Sequence, residues 1–230
     1  MFTVNRASIL RQRPSSDSCC AANLATQHKN LRLQYFIKNC VDFVGATALL
    51  ILLLPVFVLT GVLVYFTDGT PVFYRRRVVG VAGEFDAFKF RTMRRDADSI
   101  LASNPALQAE YQRNFKLVDD PRITRLGGFL RKFSLDELPQ LFNVLLGQMS
   151  LVGPRMITAP ELTKYGIHQE ALLSSKPGLT GYWQVFGRQN VCYEERVRMD
   201  LHYLENWSLG MDIEILLRTP LKVLRMEGAF

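Results

Sequence analysis

The chain has 230 residues, 48% hydrophobic, 21% charged and 11% aromatic, with 15 glycines and 10 prolines; this excludes a wholly disordered, collagen-like or coiled-coil chain and suffices to bury a core. The four cysteines, Cys19, Cys20, Cys40 and Cys192, show no C-x-x-C spacing, so neither a disulfide scaffold nor a zinc site is expected and a reducing compartment fits better. Of the net charge of +7, residues 1–38 carry +5; a basic tail beside an apolar segment points to an anionic membrane surface and away from a nucleic-acid groove.

Residues 1–38 read as a basic, Ser-rich disordered arm that includes Arg6, Arg11, Arg13, Ser15, Ser16 and Ser18. Residues 41–66 follow with one charge, Asp42. As a single helix they would extend about 39 Å, more than the roughly 30 Å of a hydrocarbon core. Pro55 in the middle removes a backbone hydrogen bond and kinks a helix. Both flanks are basic, with Lys29, Arg32 and Lys38 before and Arg75, Arg76 and Arg77 after, whereas the positive-inside rule asks for one cytoplasmic flank. The residues alone leave two readings open: a kinked span, or a re-entrant hairpin bent at Pro55 with both ends cytoplasmic.

Residues 70–93 alternate like two strands with Gly80 and Gly83 at the turn. A helix over 94–117 is interrupted at Asn104-Pro105, where Asn caps and Pro takes the first helical position, and Asp119-Asp120-Pro121 ends it. Residues 123–133 make a short helix or connection. An apolar stripe predicts a helix over 135–149 ending at Gly147, with Ser134-x-x-Glu137 as its capping box. Residues 150–160 read as a loop, 162–174 as a helix, 176–187 as a turn and strand, and 193–207 and 211–225 as two helices, the second kinked at Pro220. The class is α+β with helices dominant and no βαβ series long enough for a doubly wound sheet.

Several groups are candidates for chemistry. Asp136 and Glu137 are adjacent carboxylates just after Arg131 and Lys132. They can simply favour a helix N-terminus; with the flanking cations they also suit Mg²⁺ and phosphate, and a carboxylate can attack phosphorus. Arg155 in Gly153-Pro154-Arg155, and Arg188 after Gly187, put a guanidinium beside a residue that lets backbone approach an anion. Lys89 and Arg91 alternate with Phe88 and Phe90 and so share one strand face. Asp96 and Asp98 match the D-x-D of metal-dependent glycosyltransferases. His28, His168 and His202 form no ligand pattern, and no P-loop, dinucleotide fingerprint or nucleophile elbow is present.

Lys38-x-x-x-Asp42 before the Pro-containing apolar run, "GTPVFYRRRVVG", "FKFRTM", "DDPRITRLGGFLRKFSLDELPQLFNVLLGQMSLVGPR", "KPGLTGYWQVFGR" and "DLHYLENWSLGMDIEILLRT" occur in order over residues 38–225. Together they resemble the bacterial sugar transferases of the monotopic phosphoglycosyltransferase superfamily, most closely the small enzymes that start exopolysaccharide repeats. The resemblance implies transfer of sugar-1-phosphate from a UDP-sugar to undecaprenyl (polyprenyl) phosphate with release of UMP. Asp136 would be the nucleophile, giving a covalent phosphosugar, and Glu137 would bind Mg²⁺. Arg131, with Lys132, Lys89 and Arg91 nearby, would meet phosphate, and Arg155, Gln184 and Arg188 would bind substrate. It further implies a re-entrant helix hairpin over 39–67, a membrane-associated catalytic domain over 68–230, amphipathic C-terminal helices at the interface, and a place on the cytoplasmic face of the bacterial inner membrane. Contact with membrane lipids follows; a homo-oligomer and the identity of the sugar are left open. Departures are Leu54-Pro55 where the family has Ser-Pro, Arg155-Met156 where it has Arg-Pro, and a single basic residue in Lys38-Asn-Cys-Val-Asp42. A D-x-D glycosyltransferase, releasing UDP, and a non-catalytic membrane adaptor are the alternative readings.

Overall fold

The computed structural model describes residues 16–224 apart from Lys116, Val118 and 188–190, with side chains described from Arg32 onward except Arg113 and Asn114. The first fifteen residues of the expected arm, and Arg188, therefore lie outside the described residues. From Ser16 the chain is helical. α1 runs Ser16–Leu52 and α2 runs Leu54–Asp68, with a turn at Leu53. Pro55, in the first turn of α2, ends α1 because its ring has no N–H to donate and crowds the preceding turn. Leu53 N still donates to Leu49 O and Phe57 N to Leu53 O, both at 2.8 Å, so the ladder resumes at once. Residues Arg32–Leu52 are long and apolar enough to cross a membrane, and α2 is a shorter apolar helix.

The chain divides into two compact units between Cys40 and Val41; the second holds the last turns of α1, all of α2 and everything after it. Within this unit both ends of the apolar segment are tied down. Asp42 is buried, and its Oδ1 accepts from Ser150 Oγ at 3.0 Å and Leu151 N at 2.9 Å. Asp68 Oδ2 accepts from Thr124 Oγ1 at 3.0 Å. The bend between them is apolar and uncovered: Ile51 is 71% and Leu52 73% exposed.

β1 (Phe73–Gly80) and β2 (Gly83–Phe90) form the expected antiparallel hairpin, with Gly80 opposite Gly83. Gly83 has a φ of +106°, which a side chain would strain. α3 (Ala97–Ser103) and α4 (Pro105–Asn114) meet at Asn104, whose Oδ1 accepts from Ala106 N and Leu107 N at 3.1 and 3.2 Å, the predicted cap. Asp120 accepts from Arg122 N in the turn that leads to α5 (Arg125–Lys132), and Thr124 caps α5 through Gly127 N at 2.9 Å.

The next stretch corrects the sequence reading. Ser134 caps nothing: its φ of 53° is left-handed, whereas a capping residue needs extended backbone. A 3₁₀ turn over Leu135–Glu137 follows, and α6 (Gln140–Leu145) begins only after Pro139. The dyad therefore sits in a tight turn and not at the mouth of a long helix. The expected stop at Gly147, with φ +73°, is present. The supposed loop after Met149 opens with β3 (Ser150–Val152), too short for alternation to reveal. The helix expected over 162–174 is divided into α7 (Ala159–Leu162), a 3₁₀ stretch (Thr163–His168) and α8 (Gln169–Leu173), broken at Gly166 with φ 51°. β4 (Gly178–Thr180) pairs in parallel with β3, and what was read as the rest of a strand is α9 (Tyr182–Phe186). α10 (Tyr193–Glu205) and α11 (Leu209–Leu224), with Pro220 inside it, follow as predicted.

The main core joins Ala46 of α1, Val78 and Ala87 of the hairpin, Leu141 of α6, Met149, Leu151 of β3, Tyr203 of α10 and Ile215 of α11. Asn143 of α6 is fully buried and completes the edge of β2: its Oδ1 accepts from Phe88 N at 2.9 Å and its Nδ2 donates to Asp86 O at 2.8 Å. Helix dominance over two small sheets is the expected class.

Candidate active site

The end of β2 and the turn before α6 build the site between them. Asn143 fixes α6 to β2, which brings Glu137 to Lys89: the ammonium lies 2.5 Å from Glu137 Oε1. Past the strand end, Thr92 is the seat of α5. Its carbonyl accepts from Thr124 N at 3.0 Å, and a Cβ on Gly127 would fall 2.0 Å from that same oxygen, so only glycine permits the approach. Thr92 Oγ1 then accepts from Arg131 Nε at 3.0 Å, which aims the guanidinium along the dyad turn. Arg91 does not share a face with Lys89 as expected. β2 ends at Phe90, and the Arg91 guanidinium turns to the carboxyl end of α2, donating to the carbonyls of Asp68 and, at 2.7 Å, Gly69. Such a cation at a helix C-terminus answers the partial negative charge of the unpaired carbonyls.

On the other side, β3 and β4 carry Arg155. Gly178 lies so close to Gly153 that a Cβ would fall 2.1 Å from Gly153 N. Arg155 N lies 3.4 Å from Oδ1 of buried Asp200, whose Oδ2 accepts from Tyr165 OH at 2.7 Å. Burial pushes the Asp200 carboxyl up to about 7. The Arg155 guanidinium lies over the Trp183 ring, 5.1 Å from its centroid.

A single cavity of about 2150 Å³ collects these groups. Asp136, Glu137, Lys89, Arg91, Arg131, Lys132, Arg155 and Gln184 all line it, so every described residue expected at a phosphotransfer site is brought to one place. The cavity also runs along α1 and into the next segment at Gly45, Ala48, Leu49 and Leu53, giving it an apolar wall beside its charged one. Asp96 is outside it: both its oxygens are held by Arg94 at 3.0 Å on the surface, whereas Asp98 lines the cavity. The two halves of the D-x-D thus do not converge on one ion.

Asp136 is 7% exposed, and burial pushes its pKa up to about 6; Lys89 and Arg131 draw it down and the neighbouring Glu137 charge pushes it up. Burial also acts against charge on Glu137, but the hydrogen-bonded Lys89 ammonium overrides it, with Arg155 and Arg76 beyond, and Glu137 stays below the usual carboxylate range. The dyad is thereby polarised into one firmly ionised carboxylate and one near its ionisation point. Burial lowers the Arg131 pKa, opposed by Asp136 and Asp120.

Among the described residues there is no cluster of three or more His, Cys, Asp or Glu side chains able to hold a metal. The donor set fits Mg²⁺ only as one or two carboxylates completed by phosphate oxygens and water, the usual arrangement for this ion.

Sequence reasoning missed several wall residues. Arg76, counted only as a membrane flank, bonds Glu161 at 3.4 Å and acts on Glu137; its alternation between exposed Arg75 and Arg77 was the available signal. Arg122, paired with Asp120 at 2.7 Å, and Trp183 lie within motifs quoted above without being singled out there, and Arg196 lies in none. Gln140 is fully buried, lines the cavity and has neither amide atom bonded among the described residues.

A carboxylate whose pKa is raised on folding stabilises the fold when protonated and loses that contribution as pH rises through its folded value. Asp136→Asn therefore raises the Tm at pH 8. The gain shrinks as pH falls from about 6 toward 4, where wild-type Asp136 takes up its proton. Thermal unfolding across that range checks it.

The bacterial sugar transferase family model matches residues 33–226. The exopolysaccharide production protein ExoY of Sinorhizobium fredii is 46% identical over 198 residues, 84% of this chain and 88% of its own. The UDP-galactose-lipid carrier transferase of Erwinia amylovora is 45% identical over 199 residues, and the undecaprenyl-phosphate galactose phosphotransferase of Salmonella typhimurium 45% over 204. These cover 85% and 86% of this chain but 42% and 43% of the relatives, so the chain spans less than half of either. With the carboxylate dyad and its arginines inside the matched region, the chain belongs to the bacterial sugar transferase family.

Proposed function

We propose that the chain transfers sugar-1-phosphate from a UDP-sugar to polyprenyl phosphate in two displacements at Asp136. The observation that carries this reading is the buried Asp136 carboxylate beside Glu137, with Lys89, Arg131 and Arg155 on one cavity that also has an apolar wall. A diphosphate and a carboxylate repel each other, so attack needs cations already in place. Lys89, Arg131 and Arg155 supply them without reorganisation.

In the first displacement an Asp136 oxygen bonds to the β-phosphorus. The bond from that phosphorus to the bridging oxygen breaks, and UMP leaves with that oxygen, producing an acyl phosphate on the enzyme. In the second, a phosphate oxygen of the polyprenyl carrier attacks the same phosphorus, the acyl–phosphorus bond breaks, and the Asp136 carboxylate is restored with a polyprenyl-diphosphate sugar. When bound, Mg²⁺ held by Glu137 and phosphate oxygens would neutralise charge on the diphosphate. Arg131 orients phosphate oxygens from its seat on Thr92, and Lys89 keeps Glu137 ionised.

The lipid acceptor calls for a site at the membrane, and we propose the re-entrant arrangement for α1 and α2. Asp42 on one side of the bend and Asp68 on the other are both bonded to the same compact unit, while the apolar bend is bare. That combination supports insertion from one face with the return end at the cytoplasmic side.

With a UDP-sugar, Mg²⁺ and polyprenyl phosphate, wild type releases UMP and not UDP. Asp136→Asn loses turnover by on the order of 10³-fold or more. The free-enzyme profile of kcat/KM falls as pH drops below about 6, because the nucleophile must be ionised. UDP as product, or an active Asp136→Asn enzyme, contradicts the scheme. For the topology, single cysteines replacing Val41 and Thr70 in a cysteine-free chain both react with an impermeant maleimide in inverted vesicles; protection of one of them alone indicates a span.

A further inference from the structure

The cavity also holds polar groups that the two displacements do not use. In the hairpin Tyr74 lies opposite Lys89 and Arg76 opposite Ala87. Side chains two apart on a strand share a face, so Arg76 stands beside Lys89 on the cavity side. Its Nη2 donates to both oxygens of Glu161 at 3.4 Å, long for a charge-assisted pair. Glu161 is held in place at the start of α7, where its Oε2 accepts from Thr158 N at 2.7 Å. The Arg76 side chain is 22% exposed and that of Glu161 4%, so a ligand in the cavity meets the guanidinium first.

Tyr193, which opens α10, completes the group. It packs on the small core of Ile157, Tyr165, Leu172 and Val197, as do Val79 of β1 and Leu162 of α7. Burial, and then the Glu161 charge, hold its phenol above the ordinary tyrosine range, so the O–H remains a donor. Tyr193 is half-buried and lines the cavity with Arg76, Glu137 and Glu161. Its hydroxyl has no hydrogen-bond partner among the described residues and is not sealed from the cavity.

This group adjoins the reacting centre, since Arg76 acts on Glu137. Its charge differs from that of the remaining wall. Arg131 and Arg155 form no ion pair among the described residues and suit phosphate. Arg76 and Glu161 cancel, and Glu161 would repel an anion. What is left is a guanidinium fork and a phenol on electrically neutral ground, which suits a ligand whose hydroxyl oxygens accept hydrogen bonds.

We propose that Arg76, Glu161 and Tyr193 form the subsite for the sugar ring, and that this ring is an uncharged hexose. The inference rests on the reading above, which sets the β-phosphorus at Asp136; the hexose hangs from that phosphorus and lies along the Arg76 face. Arg76 and Tyr193 donate to its hydroxyl oxygens. Glu161 occupies the guanidinium charge, so an acidic sugar finds no free cation there.

The test is equilibrium binding to the full chain in lipid nanodiscs with Mg²⁺. An Asp136→Asn background holds the nucleotide without reacting, and UDP, UDP-glucose, UDP-galactose and UDP-galacturonate are the probes. This background binds the better of the two neutral UDP-hexoses at least about fivefold more tightly than UDP-galacturonate, although a cation-rich wall alone would favour the acid. Arg76→Lys keeps the charge and Tyr193→Phe keeps the ring. Each weakens the neutral UDP-hexose at least about fivefold, the loss of about one hydrogen bond, and moves UDP by less than about twofold. Glu161→Gln brings the ratio of neutral to acidic sugar toward unity. The proposal is overturned if the folded variants keep the UDP-hexose affinity, or if they weaken UDP and UDP-hexose alike, which assigns the group to the nucleotide or to the fold. Should one variant fail to fold, the other decides. UDP-galacturonate bound as tightly as the neutral sugars overturns it without any variant. A wild-type chain that releases no UMP, in which the variants nonetheless weaken UDP-hexose and spare UDP, supports the subsite while defeating the catalytic reading.

Discussion

Two carboxylates adjacent in sequence, one of them buried, cannot both stay charged unless cations are built around them. That constraint organises the structure. Lys89 at 2.5 Å from Glu137 fixes one charge, and Arg131, seated on Thr92, faces the other. Each cation is delivered by an element with its own anchor: β2 is bound to α6 through Asn143, and α5 is pressed onto Thr92 where Gly127 has no side chain. A buried ion pair is weak evidence for stability, since desolvation offsets most of its attraction. Such a cluster fits a chemical role better than a structural one: it holds Asp136 near its ionisation point and already contains the countercharge a diphosphate needs.

The second constraint comes from the proposed acceptor, a lipid: on that reading a polar phosphate and a long apolar chain would both have to reach one carboxylate. The cavity joins a charged wall to the apolar residues Gly45, Ala48, Leu49 and Leu53. Asp42, the one acid of the apolar run, is used to tie α1 to β3 through Ser150 and Leu151. Arg91 closes the carboxyl end of α2. The charged residues at the two ends of the apolar segment thus serve as its rivets to the catalytic body.

Local rules were legible where one residue decides the backbone. Asn104 before Pro105 capped as read, Gly80 and Gly83 met across the hairpin, and Gly147 stopped its helix. They failed where tertiary demand overrode them. Ser134-x-x-Glu137 has the form of a cap, yet the turn that buries Asp136 needs Ser134 in the left-handed region and Pro139 delays the helix. β3 and β4 are three residues each and exist because Gly153 and Gly178 let their backbones touch, a fact of pairing that no periodicity records. The site divides the same way. Residues in sequence-local motifs, Asp136, Glu137, Arg131 and Arg155, could be named in advance. Arg76, Gln140 and Arg196 reach the cavity only through the fold, from β1, α6 and α10.

The most direct measurement is peptide mapping by mass spectrometry after the chain is mixed with a UDP-sugar and no lipid acceptor. A carboxylate nucleophile predicts a sugar-phosphate mass on the peptide containing Asp136, discharged when polyprenyl phosphate is added. An enzyme that forms lipid-linked product while never carrying that mass, or that carries it on another residue, contradicts the central role given to Asp136.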